Sequence, residues 1–253
     1  MEYILNDQEI DRVIQKNETY YSIIELNDVL YLNNKLYRKI ETLRNLHNLR
    51  TLYLNNNALE IISGLDSCVN LIALYLNCNK ISKIENLDSL TKLRILNLED
   101  NNICMIENLE NLKLLEDLNL SNNCLGSKSS AHVSNLCKNE NLSILNLSNN
   151  NIDEDILKDL SNMKNLSVLY FMNNPMLAKY KNYRKLFLHT MKRLTFLDQK
   201  PVKMDERRAY SRTSRNGKDK TGETKKTRIF GRMYDLHILH VARKSLFLWR
   251  IKT

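Results

Sequence analysis

A pattern of leucine and asparagine recurs through most of this chain and constrains its fold more than any other feature. Copies begin at Asn27, Leu49, Leu71, Leu93, Leu115, Leu142 and Leu166. They are spaced by 22 residues at first, and the last two intervals are 27 and 24. One copy is too short to bury its own leucines, so successive copies must stack on one another and share one continuous core.

The copies follow the pattern L-x-x-L-x-L-x-x-N, of which the segment starting at Leu49 is an example. Alternation within a strand sends Leu52 and Leu54 inward and Tyr53 outward. Spaced Ile and Leu residues, such as Ile84 and Leu87, then return the chain along the other side. The pattern is a leucine-rich repeat and predicts an α/β solenoid. It would have a curved parallel β-sheet on the concave side, short helical or 3₁₀ segments on the convex side, and a cap at each end.

The ninth position of the copies is asparagine, and we expect its side-chain amide to bond backbone groups that the sharp inward turn leaves unpaired. The first copy has Lys35 there instead, as expected of an exposed terminal turn. We call the six residues the asparagine ladder: Asn57, Asn79, Asn101, Asn123, Asn150 and Asn174.

Two copies depart from the regular length. The copy starting at Leu115 contains the insertion "GSKSSAHVSNLCKNEN", which is predicted to replace a 3₁₀ segment with a true helix. The next copy contains "DEDILKDLSNMKN", where Asp153 is a plausible helix N-cap.

The pattern divides the chain into four parts. Residues 1–26 are predicted to hold a capping helix with Ile10, Val13 and Ile14 on its apolar face. Residues 27–181 hold about seven repeats. Residues 182–204 form a C-terminal cap, in which a helical segment precedes the extended "LTFLDQKPV". Residues 205–253 form a basic tail that is expected to be disordered.

The net charge of +9 belongs to the tail, because residues 203–253 hold 15 Lys and Arg against 5 Asp and Glu. The repeat region is nearly neutral, so nucleic acid is an unfavoured partner. Residues 205–228 are polar, whereas 229–253 become apolar again. This last stretch is either an amphipathic helix for a partner or an acidic lipid surface, or an artefact of the gene model.

Signatures of catalysis are missing from the sequence. There is no P-loop, no GxSxG, no HExxH and no Cys/His pair with ligand spacing. His237 and His240 alone make a weak metal site. We therefore expect no enzyme activity, no cofactor and no metal. The N-terminus has no signal-peptide pattern, no apolar run approaches 18 residues, and the five cysteines are expected to be reduced, buried hydrophobes of a cytosolic protein.

The outward positions of the predicted strands form a column that suits protein recognition, because tyrosine flanked by asparagine is typical of binding surfaces. Neighbouring columns hold Asn33, Asn55, Asn77 and Glu99, and Ile95, Asp117 and Ile144. The central column, predicted to contact a partner, consists of Tyr31, Tyr53, Tyr75, Asn97, Asn119, Asn146 and Tyr170.

Segments at both ends of the array carry a more specific signal. The start reads "LNDVLYLNNKLYRKIE", two repeats carry "KIENL" and "MIENL", and the end reads "NNPMLAKYKNYRKLFLHTMKRLTFLDQKPVKMDERRAY". These segments resemble the dynein axonemal assembly factor 1 family over about residues 20–210. The matching cap residues are Tyr183, Arg184, Leu197 and Asp198, whereas Gln199 and Lys200 replace the usual Asp-Arg pair.

This resemblance implies a non-enzymatic scaffold needed to preassemble axonemal dynein arms in the cytoplasm of cells that build cilia or flagella. It implies protein partners, namely axonemal dynein chains, chaperones and other assembly factors, and we expect a monomer. Family members often carry a long acidic C-terminal region, which this chain replaces with its basic tail.

Three other readings share the repeat type. One is a regulatory subunit of type-1 protein phosphatase, although that family has more uninterrupted 22-residue copies and an acidic, aromatic concave face. The second is the spliceosomal A-prime leucine-rich protein, which has a similar cap. The third is the light chain of outer-arm dynein. The "LND-LYL" start favours the assembly factor over all three.

Overall fold

The computed structural model describes residues 3–213, with side chains through residue 208. Its strands are β1 Ile4–Leu5, β2 Val29–Tyr31, β3 Lys39–Ile40, β4 Thr51–Tyr53, β5 Ala73–Tyr75, β6 Ile95–Asn97, β7 Asp117–Asn119, β8 Ile144–Asn146, β9 Val168–Tyr170, β10 Phe196–Leu197 and β11 Lys200–Pro201. Its helices are α1 Asp7–Gln15, α2 Leu157–Asn162, α3 Tyr183–Thr190 and α4 Met204–Thr213. Short 3₁₀ helices span Ile24–Leu26, Val133–Lys138 and Pro175–Lys179.

One nine-stranded sheet runs through the repeats in the order β11-β10-β9-β8-β7-β6-β5-β4-β2. Every neighbouring pair is parallel except β10 and β11. The register follows the repeat, so that Leu52 lies opposite Leu74, and Leu74 opposite Leu96. All three side chains are fully buried. The predicted solenoid with a parallel concave sheet is confirmed.

The asparagine ladder joins consecutive turns. The side-chain oxygen of Asn101 accepts the backbone N–H of Ile81 at 3.0 Å, and its amide donates to the carbonyls of Leu76 and Leu98 at 3.0 and 3.1 Å. The other five ladder residues repeat this arrangement. Each asparagine therefore ties its own turn to the preceding one. Lys35, at the ninth position of the first copy, is exposed.

The residue before the ninth position of all seven copies adopts the left-handed conformation, which the repeat pattern alone did not predict. Asparagine and aspartate tolerate this conformation better than other residues with a Cβ atom. This preference explains why asparagine so often precedes the ladder residue. The seven residues, with φ between 53° and 58°, are Asn34, Asn56, Cys78, Asp100, Asn122, Asn149 and Asn173.

The convex side differs from the prediction in the regular copies, where single turns replace helical segments. Leu90 donates its N–H to the carbonyl of Leu87 at 3.0 Å, but the turn does not continue into a helix. The "IENL" motif places Asn86 in the left-handed conformation, and its amide bonds the carbonyl of Ile62 at 2.7 Å. The regular copies therefore return along the convex side through turns rather than helices.

Both predicted convex helix features need correction. The insertion forms the 3₁₀ helix Val133–Lys138 rather than a true helix. In the following copy, α2 begins after Ile156, and the carboxylate of Asp155, not Asp153, accepts the N–H of Leu157 at 3.1 Å. The Asp153 carboxylate instead pairs with Lys179 on the next turn, at 3.0 Å.

The N-terminal cap buries one face of α1 against the first repeat. Asn6 caps this helix by accepting the N–H of Glu9 at 3.0 Å. Ile10 and Ile14 are buried, and Val13 packs on the same core while partly exposed. Strand β1 pairs with β3 in a separate two-stranded sheet, which alternation alone did not predict because each strand has only two residues.

The C-terminal cap extends further than predicted. Residues 205–213 were expected to be disordered, but α4 continues to Thr213. Two arginines hold this helix: Arg184, which pairs with Glu206, and Arg207. Arg207 donates to the carbonyls of Leu188 and Leu194 at 2.8 and 2.6 Å, which satisfies groups that the end of α3 and the following turn leave unpaired. The predicted tail beyond residue 213, including residues 229–253, His237 and His240, lies outside the described residues.

Only Cys68 of the five free cysteines is buried, and the other four are partly exposed. The expectation that all five fill the core is therefore wrong. Cys78 occupies a left-handed turn position rather than a core position.

Candidate functional site: the concave face

The parallel register brings the predicted central column together. Tyr31 lies opposite Tyr53, and Tyr53 opposite Tyr75. The column continues through Asn97, Asn119 and Asn146 to Tyr170. Each strand of the large sheet from β2 to β9 thus contributes one residue to this column, at the same register position on the concave side.

Three tyrosines form a stack along the N-terminal strands. The ring centroids of Tyr31 and Tyr53 are 4.7 Å apart, and those of Tyr53 and Tyr75 are 4.6 Å apart, with interplanar angles of 10° and 2°. These distances match the spacing of neighbouring strands, so the sheet itself fixes the stack. Tyr31 is 52% exposed. Burial and the neighbouring phenols raise the pKa of Tyr53, which keeps its hydroxyl protonated.

The asparagines in the middle of the column face the surface and also make hydrogen bonds within their own copy. The side-chain oxygen of Asn119 accepts the N–H and the hydroxyl of Ser121 at 3.0 and 2.8 Å, and Asn146 repeats this with Ser148. Asn97 likewise accepts the N–H of Glu99 at 3.0 Å. The side-chain oxygens are therefore used inside the repeat, and the amide N–H₂ groups of Asn97 and Asn146 are the donors left on the surface.

Two carboxylates lie at the centre of the face. Asp117 lies opposite Ile95 on one neighbouring strand and opposite Ile144 on the other, so an ionisable side chain stands between two apolar residues. Burial raises the pKa of its carboxyl to about 6. Glu99 lies on the other side of the central column and accepts a 3.0 Å hydrogen bond from the amide of Asn119.

The C-terminal end of the face adds an aromatic residue that the sequence analysis did not include. Phe196 in β10 lies opposite Val168, and its ring is 5.5 Å from that of Tyr170. The signal was present in "LTFL", which repeats the start of the L-x-x-L pattern. The segment had been assigned to the cap alone, although it also extends the sheet.

Within residues 3–213, no group of three or more His, Cys, Asp or Glu side chains is placed to hold a metal ion. Over the same residues, no helix combines the length and the apolar character needed to cross a membrane. The described face is thus a broad surface of aromatic rings, amides and two carboxylates.

This architecture is shared with known proteins. The family model described as "Leucine-rich repeat" matches residues 73–227. This chain belongs to the leucine-rich-repeat family. Within that family, it is 38% identical over 106 residues to the "Dynein axonemal assembly factor 1 homolog" of Drosophila melanogaster, a match that covers 42% of this chain and 7% of the relative.

Two further relatives carry related names. The human "Dynein axonemal assembly factor 1" is 38% identical over 77 residues, which are 30% of this leucine-rich-repeat chain and 11% of the human one. The "Leucine-rich repeat-containing protein ODA7" of Chlamydomonas reinhardtii is 35% identical over 80 residues, or 30% of this chain and 18% of the relative. The resemblance noted from the sequence is confirmed, although the matches span less than a fifth of each relative.

Solved structures agree on the fold of this leucine-rich-repeat protein. An internalin C2 from Listeria monocytogenes superposes with a TM-score of 0.53 at 21% identity, covering 67% of this chain and 69% of its own. A leucine-rich-repeat protein of Leptospira interrogans gives a TM-score of 0.51 at 24% identity, covering 67% and 48%. At these identities the likeness concerns the fold alone.

Proposed function

We propose that this protein is a non-enzymatic interaction scaffold that acts in the cytoplasmic preassembly of axonemal dynein arms. The observation that carries the proposal is the 35–38% identity to relatives named for dynein axonemal assembly or as ODA7. The protein would work in cells that build motile cilia or flagella. It would act as a monomer and bind dynein chains, chaperones or other assembly factors.

The concave sheet supports the protein-binding part of this proposal. Its tyrosines are already stacked against one another, so little side-chain freedom is lost when a partner covers them. Aromatic side chains with exposed faces are also the residue type that most often dominates binding energy at interfaces. We assign Tyr53, Tyr75 and Tyr170 as the main contacts.

The relatives also bear on the other three readings of the sequence. The relatives named for dynein assembly favour the assembly role over all three. A phosphatase subunit, a spliceosomal adaptor and a dynein light chain become outcomes of the test.

The test is a pull-down of the tagged full chain from cells that are assembling flagella, read by mass spectrometry. The same experiment is run with a Tyr53→Ala/Tyr75→Ala/Tyr170→Ala variant. The matched control replaces three exposed apolar residues outside the sheet, Ile61, Val69 and Leu114, which are 54%, 42% and 46% exposed, with alanine.

Recovery of dynein heavy or intermediate chains, lost in the tyrosine variant and retained in the control, supports both the function and the face. Dynein chains recovered equally by a folded tyrosine variant would remove the concave face from the proposal. Recovery of type-1 phosphatase or splicing proteins without dynein chains would overturn the assembly role.

A further inference from the structure

The concave face changes character along its length. The tyrosine stack occupies the N-terminal strands, and the carboxylates of Asp117 and Glu99 follow in the middle. These two parts are adjacent, because β5, which carries Tyr75, pairs with β6, and β6 pairs with β7, which carries Asp117. A ligand that covers the end of the stack therefore also meets the carboxylates.

Neither carboxylate forms an ion pair with a described residue. The ion pairs of the described residues are made by other Asp and Glu side chains. Arg94, which directly precedes β6, is paired with Glu116. Arg50 stands before β4 and forms none of these ion pairs. The centre of the face is thus negative, whereas its aromatic end is apolar.

Hydrogen-bond donors complete the surface. Among the described residues, the side-chain amides of Asn97 and Asn146 donate no hydrogen bond, since only their oxygens are used by the repeat. They lie on either side of Asn119, on strands β6 and β8, in the column next to that of Asp117. Such donors match the backbone carbonyls of an extended peptide laid across the strands.

We propose that the partner segment recognised by this face is basic and extended, with a lysine or arginine side chain seated between Tyr75 and the carboxylates of Asp117 and Glu99. This inference rests on the proposed function of the concave face as a protein-binding site and names the chemistry of its ligand. A cation gains from the aromatic ring face and from a charge-assisted hydrogen bond to a carboxylate.

A neutral apolar partner would fit the same face less well. Covering Asp117 removes the water that still reaches its carboxylate, and an uncompensated buried charge is costly. A cationic side chain compensates that charge, whereas an acidic partner would add repulsion. Charge complementarity therefore selects among segments that the tyrosine stack alone would accept.

The test selects random 12-residue peptides from a display library on the immobilised full chain. The same selection uses Asp117→Asn/Glu99→Gln, Tyr53→Ala/Tyr75→Ala, and a control that neutralises two acids outside the sheet, Glu107→Gln/Glu110→Gln. The best peptide is then synthesised with arginine and with citrulline, which keeps the shape but not the charge, and its affinity is measured by fluorescence anisotropy.

We expect selected peptides to be rich in lysine and arginine and to bind the Asp117/Glu99 variant at least tenfold more weakly, with no change for the control. The citrulline peptide should lose a similar factor. Peptides that need the tyrosines but carry no excess of basic residues would overturn this inference and leave the proposed binding face intact. Binding that ignores the tyrosines as well would overturn both.

One more outcome concerns the chain's own basic segment. Carbodiimide coupling of the isolated chain, followed by mass spectrometry, would join Glu99 or Asp117 to any lysine held against it. A coupling product with a lysine of residues 214–253 would identify the occupant as this chain and overturn a partner segment. Absence of that product, together with selected basic peptides, supports the partner.

Discussion

The hydroxyl of Tyr183 donates a 2.8 Å hydrogen bond to Oδ2 of Asp198, and this contact closes the C-terminal end of the core. Oδ1 of the same carboxylate accepts the backbone N–H groups of Phe171 and Met172 at 2.7 and 3.0 Å. Asp198 therefore serves the last turn as the asparagine ladder serves the others. The Tyr183 ring packs edge-on against Phe187 at 6.1 Å, which links helix, turn and core.

Replacing Asp198 with alanine should destabilise the fold by on the order of 3 kcal/mol. The change leaves two backbone N–H groups and a phenol hydroxyl without acceptors, and each orphaned buried group costs roughly 1–3 kcal/mol. Asp198→Asn keeps an oxygen for the backbone and tolerates the left-handed φ of 55°, so it should lose less. Urea unfolding followed by circular dichroism measures both. Equal stability of all three proteins would show that the carboxylate is not the closing group.

Replacing one asparagine of the ladder should destabilise the fold, whereas replacing the exposed residue next to it should not. Asn101→Ala orphans buried backbone groups on two turns and should lower the free energy of unfolding by roughly 1–3 kcal/mol. Asn102 is exposed and makes one long bond of 3.4 Å to Lys80, so Asn102→Ala is the matched control. Thermal melts of both variants compare the two positions directly. A melting curve for Asn101→Ala that overlays the parent would contradict this role of the ladder.

The helix beyond the predicted cap should depend on one ion pair. Arg184 holds Glu206 in a bidentate contact of 2.7 and 2.9 Å, and both side chains are about four-fifths buried. Glu206→Ala leaves the guanidinium without its charge partner and should cost on the order of 2 kcal/mol. Asp205→Ala, on the same helix but exposed, serves as control. Limited proteolysis should cut after residue 203 much faster in the Glu206 variant only; equal cleavage rates would show that α4 is held by other contacts.

The half-buried carboxyl of Asp117 should make stability depend on pH between its unfolded and folded pKa values. The folded pKa, about 6, is raised above the ordinary 3.8, so the folded state binds more protons in this window. Stability from this group is present below about pH 4 and is lost as the pH rises to about 6. The loss is on the order of 1–3 kcal/mol.

Asp117→Asn tests this, because it removes the titration but keeps the size. The free energy of unfolding of both proteins is measured from pH 4 to pH 7, so that other carboxylates cancel in the difference. We expect the asparagine variant to become more stable than the parent as the pH rises through 6. A constant difference across the range would show that Asp117 keeps an ordinary pKa in the folded protein.

The sequence was sufficient wherever the repeat period governs the structure. It placed Tyr31, Tyr53 and Tyr75 in one column, because the parallel register follows the spacing of the leucines. It did not show that the asparagine of "IENL" adopts a left-handed turn, because helix and turn share the same spacing of apolar residues there. It also could not separate 3₁₀ from α-helix in the insertion, where only six residues are helical.

Periodicity is a local property, and for this protein it determined the solenoid, the direction in which each strand residue points and the position of the ladder. Contacts between distant segments were decided only by the tertiary structure. Arg207 gains its partners from the carbonyls at the end of α3, and these bonds hold α4 together with the Arg184–Glu206 ion pair. Asp117 is desolvated because stacking puts it between Ile95 and Ile144, whose effect on a carboxyl cannot be known until neighbouring turns are packed together.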